Sequence, residues 1–166
     1  MISLELLRRY PYFAGLNREQ LTTLAKVANE VAVETDHYFF REGDELESIY
    51  LVLEGSAAVV IEVPDREVEQ KLSGQLTGEL KTKDIVISAV GPGDTFAWSA
   101  LVPPHKATAG VKATTPCRVI AFDRKALLTA FEDDCHFGYL MMQKTAQVAR
   151  DRLHGMRIES LAHTGE

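Results

Sequence analysis

Hydrophobic positions with a helical period open the chain. The apolar residues within 3–10 fall on one side of a short amphipathic helix. Asn17, followed three positions later by Gln20, is typical of a capping box at the start of a second helix. The apolar positions of that second helix share one face: Leu21, Leu24, Ala25 and Ala28. Two N-terminal helices are therefore predicted within residues 1–30.

From Val31 the pattern changes to short runs with a period of two, which favours strands. Turn signals separate these runs, among them Arg41–Asp44, Glu54-Gly55 and Gly91–Asp94. The chain is thus predicted to form about eight antiparallel strands. The predicted strand segments are residues 31–33, 38–40, 48–53, 56–63, 84–90, 107–113 and 117–122.

The helical period returns after the last predicted strand. Asp123 is placed to cap a helix that contains Leu127 and Phe131, and one long helix is predicted from about Cys135 to Ile158. Apolar or small residues in this long helix are spaced alternately by four and three positions, as in a heptad seam. We call them the seam: Cys135, Tyr139, Met142, Ala146, Ala149, Leu153 and Met156.

The stretch 91–111 combines several elements in few residues. After the Gly91–Asp94 turn a short helix is predicted near Ala97, and the Pro103-Pro104 pair must end it. The chain then extends again from Ala107 to Ala113. The first amides of a helix have no intrahelical partner, and the helix dipole adds partial positive charge, so such a start attracts anions.

This stretch resembles the phosphate-binding cassette of cyclic-nucleotide-binding domains, as found in the catabolite activator family and in protein kinase A regulatory subunits. The residues that match are Phe96, Ala100 and Leu101, followed by Thr108, Ala109 and Val111. The resemblance covers roughly residues 10–160. It implies a mainly β fold, an antiparallel double-stranded β-helix (a jelly-roll-like β-roll), with flanking helices. One domain over 1–166 is expected: N-terminal helices 1–30, β-roll 31–122 with the cassette at 91–111, and C-terminal helices 123–160.

Two positions depart from the family pattern. Trp98 stands where the family has the Glu that bonds the ribose, and Ala107 stands where it has the Arg that bonds the cyclic phosphate. Three interpretations stay open: weak binding of a cyclic nucleotide, binding of another small and anionic molecule, or an empty structural pocket. Lys106 could supply a positive charge if the loop turned it inward. The candidate ligand-binding residues are Phe96, Ala97, Trp98, Ser99, Ala100, Lys106, Ala107 and Thr108.

Composition narrows the class of protein. A formal net charge of −6 argues against nucleic-acid binding, and no apolar run is long enough to span a membrane. The two cysteines, Cys117 and Cys135, lack metal-ligand spacing and are expected to be buried thiols of a cytoplasmic protein. His105 is read as an isolated exposed loop histidine, not a metal or haem ligand. No catalytic motif is readable, so an enzyme is not expected, nor a metal or other cofactor.

Function is thus expected to be that of a non-enzymatic small-molecule sensor or regulatory module with weak or altered ligand specificity. The alternative is a structural or interaction scaffold whose pocket does not function. The polar stretch 64–83 is interpreted either as a solvated excursion or as a partner-binding tab. The long helix is predicted to form a homodimer through its seam, although both of its faces could instead cover the β-roll. Because the sequence ends soon after this helix, no DNA-binding module is expected.

Overall fold

The computed structural model describes residues 1–64 and 82–164. These form two compact units, one of Met1–Asn29 with Phe122–Glu166, and the other of Glu30–Ala121. The expectation of a single domain over 1–166 stays a prediction. The predicted excursion at 64–83 lies almost entirely outside the described residues.

The first unit is helical. Its elements are α1 (Leu4–Arg8), a 3-10 turn (Pro11–Phe13), α2 (Arg18–Lys26), α3 (Arg124–Asp133) and α4 (Cys135–Thr164). The capping box of α2 is present: the Asn17 side chain accepts the Gln20 N–H at 2.8 Å, and the Gln20 side chain accepts the Asn17 N–H at 3.0 Å. The two predicted N-terminal helices are confirmed, and α4 extends six residues past the predicted end at Ile158.

Aspartates start both C-terminal helices. The Asp123 carboxylate accepts the N–H of Ala126 at 2.8 Å, which confirms it as the cap of α3. The Asp134 carboxylate accepts the N–H of Phe137 at 3.0 Å and so caps α4. Asp134 also accepts a hydrogen bond from the Gln20 side-chain amide at 3.4 Å. The α3–α4 junction is thereby tied to the start of α2.

The first third of α4 packs into its own unit. The Phe137 ring meets the Phe131 ring edge to face, with centroids 5.1 Å apart. The Thr145 hydroxyl donates to the Met141 carbonyl at 2.9 Å. It therefore accepts from the Tyr12 hydroxyl, which lies 3.3 Å away. Burial raises the pKa of Tyr12.

The second unit is built from strands that form two four-stranded sheets, in the orders β1-β8-β3-β6 and β2-β7-β4-β5. The pairings of β3 with β6, and of β7 with β2 and β4, are antiparallel, as is that of β4 with β5. The predicted antiparallel β-roll is confirmed. The strands are β1 (Ala28–Val33), β2 (Tyr38–Phe40), β3 (Ser48–Glu54), β4 (Ala57–Pro64), β5 (Thr82–Val90), β6 (Thr95–Phe96), β7 (Gly110–Ala113) and β8 (Cys117–Asp123).

Alternation along the strands builds one apolar cluster inside the roll. Ala57 and Val59 of β4 face it together with Val111 and Ala113 of β7. The corner at Gly55 has a φ of +88°, and a Cβ there would lie 2.2 Å from the Pro116 carbonyl oxygen. Glycine is therefore required at this turn both by conformation and by space.

The two cysteines lie in different environments, and both are free thiols. Cys117, in β8, is buried, and desolvation raises the pKa of its thiol. Cys135, the first residue of α4, is exposed. The expectation that both thiols are buried is wrong for Cys135, because the first turn of α4 buries a different side of the helix.

Candidate ligand site

The cassette begins with a turn that is fixed on both sides. The Asp94 carboxylate accepts the Gly91 N–H at 2.9 Å, and the Asp94 N–H returns to the Gly91 carbonyl at 3.0 Å. Val52 of β3 exchanges two backbone hydrogen bonds with this turn, through the Gly93 N–H and the Asp94 carbonyl. The short strand β6 follows and pairs Phe96 with Tyr50.

The predicted short helix exists as a single 3-10 turn, Trp98–Leu101. Ala97 precedes it in the left-handed region, with φ +64°. An L residue with a Cβ adopts that conformation at a cost, which the surrounding packing must offset. The Ala97 carbonyl accepts the Ala100 N–H at 3.0 Å. As predicted, the turn ends before the Pro103-Pro104 pair.

His105 holds the end of this turn. Its Nδ1 lies 2.7 Å from the carbonyl oxygen of Ala100. A carbonyl oxygen only accepts, so Nδ1 carries the hydrogen in this arrangement. His105 itself is half-buried, with φ +63°. The expectation of an isolated exposed histidine is therefore wrong, because its ring is a structural partner of the cassette.

Backbone hydrogen bonds join the segment that begins at His105 to the loop before β3. The His105 carbonyl accepts the Leu46 N–H, Ala107 donates to the Asp44 carbonyl, and Gly43 donates back to Ala107, each at 2.8 Å. Residues neighbouring each other in an extended segment point to opposite sides. Ala107 points into the cluster, and Lys106 beside it is exposed.

The predicted ligand residues divide into two groups. Phe96, Ala97, Ala100 and Ala107 lie together in the apolar cluster of the roll. Trp98 and Ser99 are half-buried, whereas Lys106 and Thr108 are exposed. The structure thus brings the small apolar members together and leaves the only cationic candidate at the surface. Their roles in ligand binding stay predictions.

Aromatic rings line the same interior. The rings of Tyr50 and Phe96 stack at 4.9 Å, and Phe39 meets Phe96 edge to face at 5.1 Å. Burial raises the pKa of the Tyr50 hydroxyl, so it stays protonated at neutral pH. Among the described residues of Glu30–Ala121, no charged side chain is buried. The interior behind the cassette is accordingly uncharged.

Residues outside the predicted set also shape the cassette. Leu46 belongs to the apolar cluster, and Asp44 holds the loop by accepting the Arg41 N–H at 2.9 Å. The turn signal Arg41–Asp44 located this loop in the sequence, but no pattern places it beside residues 105–107. That pairing joins segments about sixty positions apart and appears only in the fold.

The seam of α4 occupies a face of its own. Tyr139, Met142, Leu153 and Met156 are all exposed large side chains. The buried face of the helix consists of Phe137, Gly138, Met141 and Thr145. At 3.6 residues per turn, the centres of the two faces are separated by roughly a quarter of a turn. From Met156 to Thr164 every residue of α4 is exposed.

A family model described as cyclic nucleotide-binding domain matches residues 30–134, which is well over half of the chain. The chain belongs to this family. The resemblance noted from residues 91–111 is thereby confirmed at the level of the family. The match begins within β1, ends directly after α3 and leaves all of α4 outside it.

The chain is also similar to individual proteins. It is 22% identical over 129 residues to a CRP-like cAMP-activated global transcriptional regulator of Mycobacterium tuberculosis, covering 78% of this chain and 50% of the relative. It thus spans about half the length of the curated relatives it matches.

Among solved structures, one described as a cyclic nucleotide-binding protein from Geobacter metallireducens GS-15 is 28% identical, with a TM-score of 0.74. That alignment covers 93% of this chain and 100% of the other. A cyclic nucleotide-binding domain from Methylobacillus flagellatus KT has a TM-score of 0.73 at 18% identity, covering 96% of this chain and 81% of the other, and supports the fold alone.

The part of the chain that the structure describes contains no group of three or more His, Cys, Asp or Glu side chains arranged to hold a metal ion. None of the described helices is both long and apolar enough to cross a membrane.

Proposed function

We propose that this chain is a non-enzymatic regulatory module of the cyclic-nucleotide-binding type whose altered cassette binds cyclic nucleotides weakly or takes another small anionic molecule. The observation that carries the proposal is the environment of Ala107. It stands at the position of the family arginine, is only 5% exposed and packs in the apolar cluster with Ala97 and Ala100. Among the described residues, no cation replaces the missing guanidinium in that interior.

The energetic consequence follows from the lost contacts. A hydrogen bond to a charged group contributes about 1.5–3 kcal/mol. Losing the Arg and Glu contacts together should therefore weaken binding of a cyclic nucleotide by roughly two or more decades. The Ala97 carbonyl takes the Ala100 N–H, so the first backbone N–H groups of the 3-10 turn and the Ser99 hydroxyl are the polar groups left for a phosphate.

Calorimetry with cyclic AMP and cyclic GMP tests this proposal. The unmodified chain should give no binding or only weak binding. The double variant Trp98→Glu, Ala107→Arg should raise the affinity, and Trp98→Gln, Ala107→Leu is the matched control, with similar bulk but without the charges. Circular dichroism must show both variants folded, because Ala107 is buried. Low-micromolar affinity in the unmodified chain would defeat the proposal.

The residual role of Lys106 can be tested separately. Lys106 is exposed, and it forms an isolated bridge with Glu45 through the backbone. A lysine there acts on an anion as a point charge without the fork of an arginine. If Lys106 contributes to binding an anion, Lys106→Gln should reduce the affinity for that anion. The reduction should be smaller at high salt, because salt screens the charge.

A scaffold with a filled, non-functional pocket is the alternative. It is favoured by the position of Ala97, Ala100 and Ala107 inside the cluster. Thermal shift separates the two functions, because a ligand that binds only the folded state raises the melting temperature once its concentration exceeds its dissociation constant. A screen of small anions with no shift at millimolar concentration supports the scaffold.

We further propose that α4 makes a homodimer through the seam. All seam residues except the half-buried Ala149 are exposed, the seam is centred away from the buried face, and the helix continues to Thr164 with no covered residue after Gly155. A helix gains most of its stability from packing one apolar face. Ala146 and Ala149 would allow two copies to approach closely.

Absence of specific DNA binding and a cytoplasmic location also stay predictions of the sequence. The curated relatives are named as transcriptional regulators, so the first is worth testing directly. A gel shift with the purified chain should give no sequence-specific complex that resists competitor DNA, given the net charge of −6.

A further inference from the structure

The far end of the β4–β5 hairpin reaches beyond its neighbouring strand. The pairing of β4 with β7 ends at Val60 and Gly110. The pairing of β4 with β5 continues for four more residue pairs. We call these segments, residues 61–64 and 82–85, the hairpin arm. A two-stranded ribbon is only marginally stable in water, so the arm needs contacts from outside its own ladder.

Two carboxylates stand side by side on the arm. Glu62 and Asp84 are directly paired, so their side chains share one face of the ribbon. Like charges in that position destabilise the pairing of two strands. Without other partners, the repulsion between these two carboxylates would destabilise the pairing of the arm's two strands.

Side chains from β2 and the residue after it hold both carboxylates. The Tyr38 hydroxyl donates to Asp84, and the Arg41 guanidinium donates to Glu62. The Arg41 guanidinium also lies 3.9 Å from the centre of the Tyr38 ring, within cation–π distance. We call Tyr38, Arg41, Glu62 and Asp84 the latch.

A second cation adds to this arrangement. The Lys112 ammonium lies 5.2 Å from the centre of the Tyr38 ring and 3.7 Å from the Asp36 carboxylate. The hydrogen bond to Asp84 raises the pKa of Tyr38, so the hydroxyl stays a donor at neutral pH. The network therefore spans all four strands of this sheet.

The latch lies on the outer face of the sheet. Because successive residues of a strand point to opposite faces, Glu62 lies on the same face of β4 as Ala58 and Val60. Ala57 and Val59 lie on the opposite face and belong to the apolar cluster. Val60 is nevertheless buried. Next to it, Gly110 adds no side chain to the sheet, and a Cβ there would lie 3.2 Å from a Val60 methyl group. The outer face thus has an apolar strip formed by Ala58 and Val60, both of which are buried.

We propose that the hairpin arm is a separately opening element, held closed on the outer face of the sheet by the latch. Opening would uncover the apolar strip and leave the inner cluster and the cassette in place, because none of the four latch residues belongs to either. The arm is thereby a conformational device distinct from the proposed ligand site.

Hydrogen exchange read by mass spectrometry tests the proposal on the intact chain. Tyr38→Phe removes the hydroxyl that donates to Asp84, so the Asp84 carboxylate stands opposite Glu62 without that donor. Exchange at residues 82–85 should rise about tenfold, the effect of losing one hydrogen bond to a charged group. Arg41→Gln should have a smaller effect, because exposed ion pairs contribute little. Exchange in β3 and β8 should not change in either variant.

Two further variants make the test specific. Arg118→Gln removes exposed ion pairs with Glu30 and Glu54 on the other sheet, and should leave residues 82–85 unchanged. Adding Asp84→Asn to Tyr38→Phe relieves the repulsion and should return part of the protection. Unchanged exchange at 82–85 in Tyr38→Phe, or an equal rise in all strands, would overturn the proposal.

Discussion

The two ends of α4 differ more than their sequences suggest. Its first eleven residues contain every buried residue of the helix, namely Phe137, Gly138, Met141 and Thr145. Its last nine, from Met156 onward, are exposed on all sides although they include Ile158 and Leu161. Apolar residues alone therefore do not identify the face that packs within the chain. The comparison separates a face that packs within the chain from one that is exposed.

The largest expected effect is on the free energy of unfolding, and it separates two adjacent methionines. Met141 is 1% exposed and Met142 is 39% exposed. Met141→Ala should lower the free energy of unfolding by about 2–5 kcal/mol, because it leaves a cavity in the packed face. Met142→Ala should cost the isolated chain less than about 1 kcal/mol.

Urea unfolding at several protein concentrations measures both. In the proposed dimer, the effect of Met142→Ala should grow with protein concentration and that of Met141→Ala should not. Equal losses in the two variants at every concentration would remove the distinction between the two faces.

The next prediction concerns the exposed end. Leu153 and Ile158 have similar exposed fractions, 49% and 54%, but only Leu153 belongs to the seam. Leu153→Glu should place a charge in the interface of the dimer and convert it to monomers. Ile158→Glu is the matched control and should leave the mass unchanged.

Light scattering across a dilution series gives the masses, and circular dichroism checks the fold. A monomer mass for the unmodified chain at tens of micromolar contradicts the dimer. Dissociation by both variants would instead indicate a contact surface broader than the seam.

Two glycines in α4 make a third comparison. A Cβ at Gly138 would lie 2.9 Å from the Cβ of Phe131, whereas a Cβ at Gly155 would meet nothing within 4 Å. Gly138→Ala should destabilise the chain by about 1–3 kcal/mol through overpacking against α3. Gly155→Ala should stabilise it by about 0.5–1 kcal/mol, because alanine restricts the unfolded chain and favours helix. Thermal unfolding measures both, and a loss of stability in Gly155→Ala would mean that the distal helix is covered.

Most of the fold could be predicted from the sequence because its signals are local. The Asn17 capping box and the Asp123 cap each depend on neighbouring residues, and both appear in the structure. The short helical turn of the cassette could be located for the same reason, since the Gly91–Asp94 turn and the Pro103-Pro104 pair bound it.

The environment of the candidate site could not be predicted in the same way. His105 is bonded to Ala100, and Ala107 is paired with Asp44, through contacts that depend on the path of the loop in space. The exposure of Cys135 depends on the rotation of α4 about its axis, which the packing of Phe137 against Phe131 fixes. Sequence patterns give the elements, whereas these contacts follow from how the elements pack.

The smallest expected effect lies at the start of α4 and depends on pH. The N–H of Phe137, with a smaller contribution from the Gln20 amide, lowers the pKa of Asp134 from its ordinary value of 3.8. A carboxyl whose pKa is lower in the folded state stabilises the fold above its unfolded pKa, and this stability is lost as pH falls through the folded value. Asp134→Asn keeps a capping side chain but removes the charge, whereas Asp134→Ala removes both. The unmodified chain should therefore lose stability more steeply than either variant as pH falls below about 4. The stability difference between the Asn and Ala variants should not change with pH. Urea unfolding from pH 6 to pH 2.5 measures these slopes, and parallel curves for all three proteins would show that the Asp134 charge does not stabilise the junction.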